Sequence, residues 1–111
     1  MDILFDSAAA AEKYTEMRLL VRSHNLQRAK LIRRRLDDLR AAPDLETMRN
    51  LPGRCHELKG DRAQQLSLDL DGPYRLILYS AHNPVPLKPD GGMDWKKVTA
   101  VIIKEVRNTH E

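Results

Sequence analysis

The stretch LSLDLDGPYRLILYS, residues 66–80, decides the fold of this chain. In its first half, leucine alternates with serine and aspartate, and this period of two is typical of a strand with one buried face. Asp71-Gly72-Pro73 then predicts a turn. Tyr74–Ser80 is rich in residues that favour strands, so this segment should return antiparallel and close a β-hairpin.

The residues before this hairpin have helical character. A short apolar run at residues 3–5 predicts a first strand, and a first helix follows over about residues 8–22. Polar residues at 23–25 separate it from a second helix, which ends before Pro43. The apolar stripe of the second helix consists of Ala29, Ile32, Leu36 and Leu39. Because few residues separate the two helices, they should lie antiparallel.

The remaining segments complete the predicted fold. Asp44 can cap a short helical turn that reaches Met48. Residues 83–97 contain three prolines and a Gly-Gly pair, which predicts a long loop, and Val98–Val106 predicts the last strand. We therefore predict one domain over residues 1–111 in the α+β class. In it, an N-terminal strand and an antiparallel helical hairpin pack on an antiparallel β-sheet of three to four strands.

Composition excludes several classes of protein. The chain has 111 residues, with 19 Lys and Arg against 16 Asp and Glu, so one compact domain is expected and there is no strongly basic tail. The longest run without a charged residue, 76–87, contains two prolines, whereas a membrane span needs about 20 apolar residues. Cys55 is the lone cysteine and cannot form an internal disulfide, which favours a cytoplasmic location.

One segment carries most of the reactive side chains. The sequence has no glycine-rich phosphate loop, paired cysteines or His-x-x-x-His motif, so no metal or other cofactor is predicted. Residues 54–62 read RCHELKGDR, which places His56 among the cations Arg54, Lys59 and Arg62 just before a strand. This cluster could bind phosphate, or it could be a solvated connection with one or two salt bridges.

The same segment carries a family resemblance. LPGRCHELKGDR at residues 51–62, followed by the hairpin sequence, resembles the HigB-like toxins of the RelE/ParE superfamily, which are the toxin halves of bacterial type II toxin–antitoxin systems. The shared features are a His-x-Leu-Lys-Gly-Asp-Arg signature at residues 56–62 and an aromatic-Arg-hydrophobic triplet at residues 74–76. Two helices before an antiparallel sheet also agree with the family, so the resemblance covers nearly the whole chain.

The resemblance implies a function and a set of partners. Family members cut messenger RNA in the ribosomal A site, with the catalytic histidine falling on His56 and phosphate-binding cations on Lys59, Arg62 and Arg75. Members commonly end in Asp-Tyr-His, whereas this chain has Asn108-Thr109-His110. The implied partners are the ribosome and its mRNA, and a helix-turn-helix antitoxin through which the toxin reaches operator DNA. No membrane is implied.

Elementary chemistry agrees with this assignment. Metal-free cleavage of RNA needs a base for the 2′-hydroxyl proton, an acid for the leaving 5′-oxygen and cations for the phosphorane. Histidine titrates near neutral pH, so His56 and His110 could share these two roles in either order. Arg75 could contact the scissile phosphate through two hydrogen bonds, or it could form an ion pair with Asp69 or Asp71.

Other interpretations stay open. Lys59 and Arg62 could follow neighbouring phosphates or pair with Asp61. The arginine run at residues 33–35 predicts an exposed helix face that touches ribosomal RNA. The changed residues before His110 favour either a non-catalytic inhibitor of the ParE type, which binds DNA gyrase, or a degenerate toxin that keeps only antitoxin binding.

Overall fold

A mixed β-sheet with helices on one face organises the fold of this computed structural model, which describes residues 1–110. Within these residues, the strands are β1 (Asp2–Phe5), β2 (His56–Glu57), β3 (Gln65–Asp69), β4 (Tyr74–Ser80) and β5 (Ala100–Asn108). The α-helices are α1 (Ala8–Thr15), α2 (Met17–Ser23) and α3 (Leu26–Ala41). The strand order is β1-β5-β4-β3-β2, with β1 parallel to β5 and every other neighbouring pair antiparallel.

The predicted hairpin is confirmed as β3 and β4. Leu66 lies opposite Leu78 and Leu68 opposite Leu76, and all four side chains are buried. Directly opposite residues point to the same face of a sheet, so these leucines form one apolar surface. The α+β class is therefore confirmed, with two additions to the prediction: the parallel pairing of β1, and the two-residue strand β2.

The helices cover this apolar surface. Helix α3 begins at Asn25, whose side chain accepts a hydrogen bond from the Arg28 backbone N–H at 2.8 Å, as expected for an N-cap residue. The predicted stripe of α3 is buried and joins the leucines of the sheet in one core. The mixed sheet and the helices are thus held together mainly by aliphatic packing.

The predicted first helix is two helices. Glu16 has an extended backbone (φ −93°, ψ 109°), so α1 ends at Thr15 and α2 begins at Met17. Tyr14 and Leu20 are both buried. On one continuous helix, residues six positions apart would point about 120° away from each other. The break at Glu16 lets both side chains enter the core.

The arginine run at residues 33–35 is not a uniformly exposed face, which corrects the sequence-based expectation. Arg33 and Arg34 are exposed, but Arg35 is only 7% exposed and its Nε donates to the Asp69 carbonyl at 2.9 Å. Consecutive residues on a helix are separated by about 100°, so three in a row cannot all face solvent. Arg35 instead ties α3 to the end of β3.

The long loop at residues 83–97 packs on the core. Met93 and Trp95 are buried, and the Arg49 guanidinium lies 3.7 Å from the centre of the Trp95 ring. His82, just before this loop, accepts a hydrogen bond from the Thr99 backbone N–H at 3.0 Å. These contacts fix both ends of the loop. No helix in residues 1–110 is long and apolar enough to cross a membrane.

Candidate functional site

The face of the sheet opposite the buried leucines presents a row of side chains across four strands. His56 on β2 lies opposite Ser67, which lies opposite Ile77, which lies opposite Glu105 on β5. We call this face the open face and these four residues the His56 row. Ile77 is buried although it does not belong to the main core, so the open face is itself packed at this position.

Two further rows flank the His56 row on the open face. On one side Asp69 lies opposite Arg75, which lies opposite Arg107. On the other side Gln65 lies opposite Tyr79, which lies opposite Ile102. Successive rows are two residues apart along each strand, or about 7 Å. The register therefore places cations, a carboxylate and a phenol within one or two rows of His56.

His56 is half-buried and oriented by its own chain. Its Nδ1 lies 2.8 Å from the Arg54 carbonyl oxygen. A carbonyl can only accept a hydrogen bond, so Nδ1 carries a hydrogen, and in the neutral form of this imidazole the lone pair belongs to Nε2. Nε2 is then left with a free lone pair. The imidazole is therefore arranged to accept a proton at Nε2.

A turn with an unusual backbone places the Arg54 carbonyl. Gly53 and Arg54 have φ values of +111° and +49°, and the Gly53 carbonyl accepts a hydrogen bond from the Asp69 backbone N–H at 2.7 Å. A positive φ at a non-glycine residue such as Arg54 is uncommon and costs free energy. This turn docks the segment before His56 onto the end of β3.

The carboxylate of Asp69 lies between two of the predicted phosphate-binding arginines. Arg54 donates to it from Nε at 3.0 Å and from Nη2 at 3.3 Å. The Arg75 Nε lies 3.0 Å from Oδ1 of the same carboxylate. Arg75 Nη1 also donates to the Gly72 and Tyr74 carbonyls, both at 2.8 Å. The ion-pair alternative for Arg75 is thus present, with Asp69 as its partner.

The other two predicted cations differ from each other. Arg62 donates from Nη1 to Gln65 Oε1 at 3.0 Å and lies 3.8 Å from the Glu105 carboxylate, so it pairs with Glu105 and not with Asp61. Lys59 is exposed and makes no ion pair within the described residues. Of the four cations predicted to bind phosphate, Lys59 is therefore the one without an ion pair among residues 1–110.

The structure does not bring His110 to His56. His110 is exposed, and its backbone N–H donates to Asn108 Oδ1 at 3.0 Å. Thr109 donates to the Pro73 carbonyl from its backbone N–H at 2.9 Å and from Oγ1 at 2.8 Å. Three strand spacings and five residues along β5 separate the two histidines, or roughly 20 Å between their Cα atoms. Glu111 lies outside the described residues.

Sequence reasoning missed the contribution of β5. Glu105 and Arg107 reach the open face because side chains alternate along a strand. The alternation was visible in the sequence. However, a β-bulge shifts the register: Ile77 and Leu78 on β4 lie opposite Glu105 and Ile103, so Lys104 between them has no partner on β4. Glu105 is the one carboxylate in the His56 row.

Cys55 adjoins His56 but is not available as a nucleophile. Its side chain is buried, and burial raises the pKa of its thiol to about 12. A thiol in that state holds its proton at neutral pH, and only the thiolate is nucleophilic. Among residues 1–110, no three His, Cys, Asp or Glu side chains lie close enough together to hold a metal ion.

Comparison with known proteins identifies the fold. No family model and no curated protein matches the chain. A solved structure described as a YoeB/ParE toxin from Agrobacterium tumefaciens superposes with a TM-score of 0.57 at 13% sequence identity, over 97% of this chain and 98% of that one. The chain therefore has the fold of a YoeB/ParE toxin over its whole length, including the α+β architecture predicted from sequence.

Proposed function

We propose that this chain is the toxin of a type II toxin–antitoxin system and a HigB-like, ribosome-dependent endonuclease of messenger RNA. The observation that carries the proposal is the arrangement of His56, whose Nδ1 binds the Arg54 carbonyl while Nε2 is left to accept a proton. The residue lies on the open face with arginines close to it. A protein of the same fold is described as a toxin, which agrees with the proposal.

In the proposed reaction, Nε2 of His56 removes the proton of the ribose 2′-hydroxyl. The 2′-oxygen bonds to phosphorus while the bond from phosphorus to the 5′-oxygen breaks. The leaving 5′-oxygen takes a proton from an acid, so the products are a 2′,3′-cyclic phosphate and a 5′-hydroxyl. His110 is the predicted acid, and to act it has to leave its position beside the Pro73 turn when RNA binds. No metal or other cofactor takes part.

The cations have separate tasks in this proposal. Lys59 binds the RNA backbone directly, because no carboxylate holds it within the described residues. Arg54 and Arg75 exchange the Asp69 carboxylate for the scissile phosphate, which can offer a guanidinium a pair of oxygens as a carboxylate does. Arg62 orients the neighbouring Gln65 and balances the charge of Glu105.

The proposed partners follow from the proposed class. A small helix-turn-helix antitoxin neutralises the toxin, and operator DNA is bound only through that complex. The ribosome supplies part of the alignment of mRNA, since correct positioning alone can lower a barrier by several kcal/mol. All of these partners lie in the cytoplasm.

A non-catalytic toxin is the second candidate. The Asp69 carboxylate already forms ion pairs with Arg54 and Arg75, and His110 is far from His56. Both observations suit either a ParE-type protein that inhibits gyrase by binding, or a degenerate toxin that only binds its antitoxin.

The His56→Ala variant tests these alternatives. Losing a general base costs about 10²–10⁴-fold in rate, so the variant should fail to arrest growth and fail to cut mRNA on translating ribosomes, while it still binds its antitoxin. His24→Ala is the matched control, because Nε2 of His24 has no hydrogen-bond partner to lose.

Three results contradict the proposal. Growth arrest without mRNA cleavage by the wild-type protein would identify a toxin that acts by binding. A wild-type protein that neither arrests growth nor cuts mRNA would be a degenerate toxin. Full cleavage by His56→Ala would remove His56 from the mechanism.

A further inference from the structure

A polar cavity opens on the open face beside the His56 row. It has a volume of about 280 Å³, and residues lining it include Asp6, Gln64, Gln65, Tyr79, Val85 and Lys104. Gln65 lies two residues from Ser67, the partner of His56 on β3, so the cavity begins about 7 Å from that row. A strand of RNA that runs from His56 along β3 toward Gln65 would pass the mouth of this cavity.

Two of the polar groups in the cavity are already held in place. The Tyr79 hydroxyl donates to Oδ1 of Asp6 at 2.8 Å, which leaves Oδ2 and one lone pair of Oδ1 free to accept hydrogen bonds. This hydrogen bond to Asp6 also raises the pKa of Tyr79, so the phenol keeps its proton. Arg62 donates to Oε1 of Gln65, which leaves the Gln65 amide N–H groups free to donate.

The lining combines three chemical features that suit one class of ligand. The Tyr79 side chain offers an aromatic surface, the Asp6 carboxylate accepts hydrogen bonds, and Gln65 and Lys104 can donate them. Lys104 Nζ also lies 3.8 Å from a Glu105 carboxylate oxygen, but an ammonium has three N–H groups and can donate to both. Unstacked RNA bases are recognised by aromatic side chains and by hydrogen bonds to their edges. A phosphate is a poor ligand here, because the Asp6 carboxylate would repel it.

We propose that this cavity binds a nucleobase of the RNA next to the cleaved phosphate. The proposal rests on the proposed function for its RNA substrate. Guanine fits best, since it presents two adjacent N–H donors to a carboxylate and a neighbouring carbonyl oxygen to a lysine or an amide. Cytosine, with one amino group and one carbonyl, fits less well. Uracil has a single N–H between two carbonyls, and adenine has no carbonyl.

The Asp6→Ala variant tests the proposal by its effect on base preference. Asp6 takes no part in the proposed chemistry, so the variant should cut sites without the preferred guanine at the wild-type rate and lose rate only at sites that carry it. Sequencing of the cut ends should show guanine enriched at one flanking position for the wild type, with that preference reduced roughly 10-fold in the variant, the usual size of a paired base contact. Asp2→Ala is the control, because Asp2 is also exposed on β1 but does not line the cavity.

A second measurement separates this proposal from the proposed function. Short RNA oligonucleotides that differ in a single base are titrated against wild-type protein and against Asp6→Ala. A guanine preference that Asp6→Ala abolishes would support the cavity proposal even if the wild type cuts no RNA. An unchanged base preference in Asp6→Ala, in cleavage and in binding, would overturn it. The proposal also fails if Asp6→Ala weakens only antitoxin binding, since the cavity would then hold a protein segment.

Discussion

Replacing Gly53 with alanine should destabilise the fold by about 3 to 6 kcal/mol, because two separate costs meet at this residue. Its φ of +111° lies where side chains are rarely tolerated, and holding alanine there costs about 1 to 3 kcal/mol. An added Cβ would also lie 2.8 Å from Nε of Arg35 and 3.2 Å from a methyl group of Leu68. Arg35 would have to move away from the Asp69 carbonyl, and losing a hydrogen bond from a charged donor costs about 1.5 to 3 kcal/mol.

Urea unfolding followed by circular dichroism directly measures how much free energy of unfolding Gly53→Ala loses. For a domain of about 100 residues, each kcal/mol lowers Tm by about 4 to 8 °C, so the variant should melt more than about 10 °C below the wild type. Gly60→Ala is the matched control. Gly60 also has a positive φ, +68°, but nothing lies within 4 Å of an added Cβ, so only the backbone cost of about 1 to 2 kcal/mol applies.

The comparison of the two variants can refute the reasoning. If Gly53→Ala is no less stable than Gly60→Ala, Arg35 does not depend on the space beside Gly53. The measurement also bears on the site, since the Gly53–Arg54 turn aims the Arg54 carbonyl at His56. Gly53→Ala should therefore lower RNA cleavage even at temperatures where the variant stays folded.

Four further measurements test other contacts. Deleting residues 110–111 should remove most mRNA cleavage but keep Tm within a few degrees of the wild type, because terminal residues bury little surface. If cleavage stays intact, His110 is not the acid, and His56 is the only histidine left in the proposed mechanism. Arg75→Lys should restore little of the activity lost in Arg75→Ala, because an ammonium cannot contact the Asp69 carboxylate and the Gly72 and Tyr74 carbonyls as the planar guanidinium does. Full activity in Arg75→Lys would show that the positive charge alone matters. The hydrogen bonds from Arg28 lower the pKa of Asp71 in the folded protein. The stabilisation from these bonds is therefore complete above about pH 4, the pKa of aspartate in the unfolded chain, and is lost as the pH falls through the folded-state pKa. The Tm of Asp71→Asn should vary less with pH over this acid range than the Tm of the wild type. Cys55, whose pKa is raised to about 12, should resist a thiol reagent at pH 8 until the protein is unfolded, and rapid labelling of the folded protein would contradict its burial.

The parts of the fold that were predictable are those with a strong local pattern. The hairpin over residues 66–80 follows from alternation and a turn, and α3 follows from its apolar stripe. The break at Glu16 was not predictable, because it serves the packing of Tyr14 and Leu20 against parts of the chain that are distant in sequence. Burial of Arg35 has the same origin: its partner is 34 residues away.

The candidate site was predictable as a cluster but not as an arrangement. The segment around His56 was identified from its own residues, and the pairing of Arg75 with Asp69 was one of two alternatives. The choice between Asp69 and Asp71 as the partner of Arg75 depends on the register of β3 against β4, which places Asp69 directly opposite Arg75. The place of Glu105 depends on a bulge that no local pattern indicates. The roles of His56, Arg75 and His110 in catalysis stay predictions.

The strand order has a consequence for the timing of folding. β5 follows the other four strands along the chain, yet it lies between β1 and β4 and pairs with both. β1 therefore has no strand partner until about 100 residues have been made, and closing this contact between distant parts of the chain is slow compared with forming local ones. The helices and the β3–β4 hairpin can form earlier, from local contacts. The open face, with Glu105 and Arg107 in place, is assembled only after residues 100–108 have been made, so a growing chain that ends before β5 does not carry the complete site.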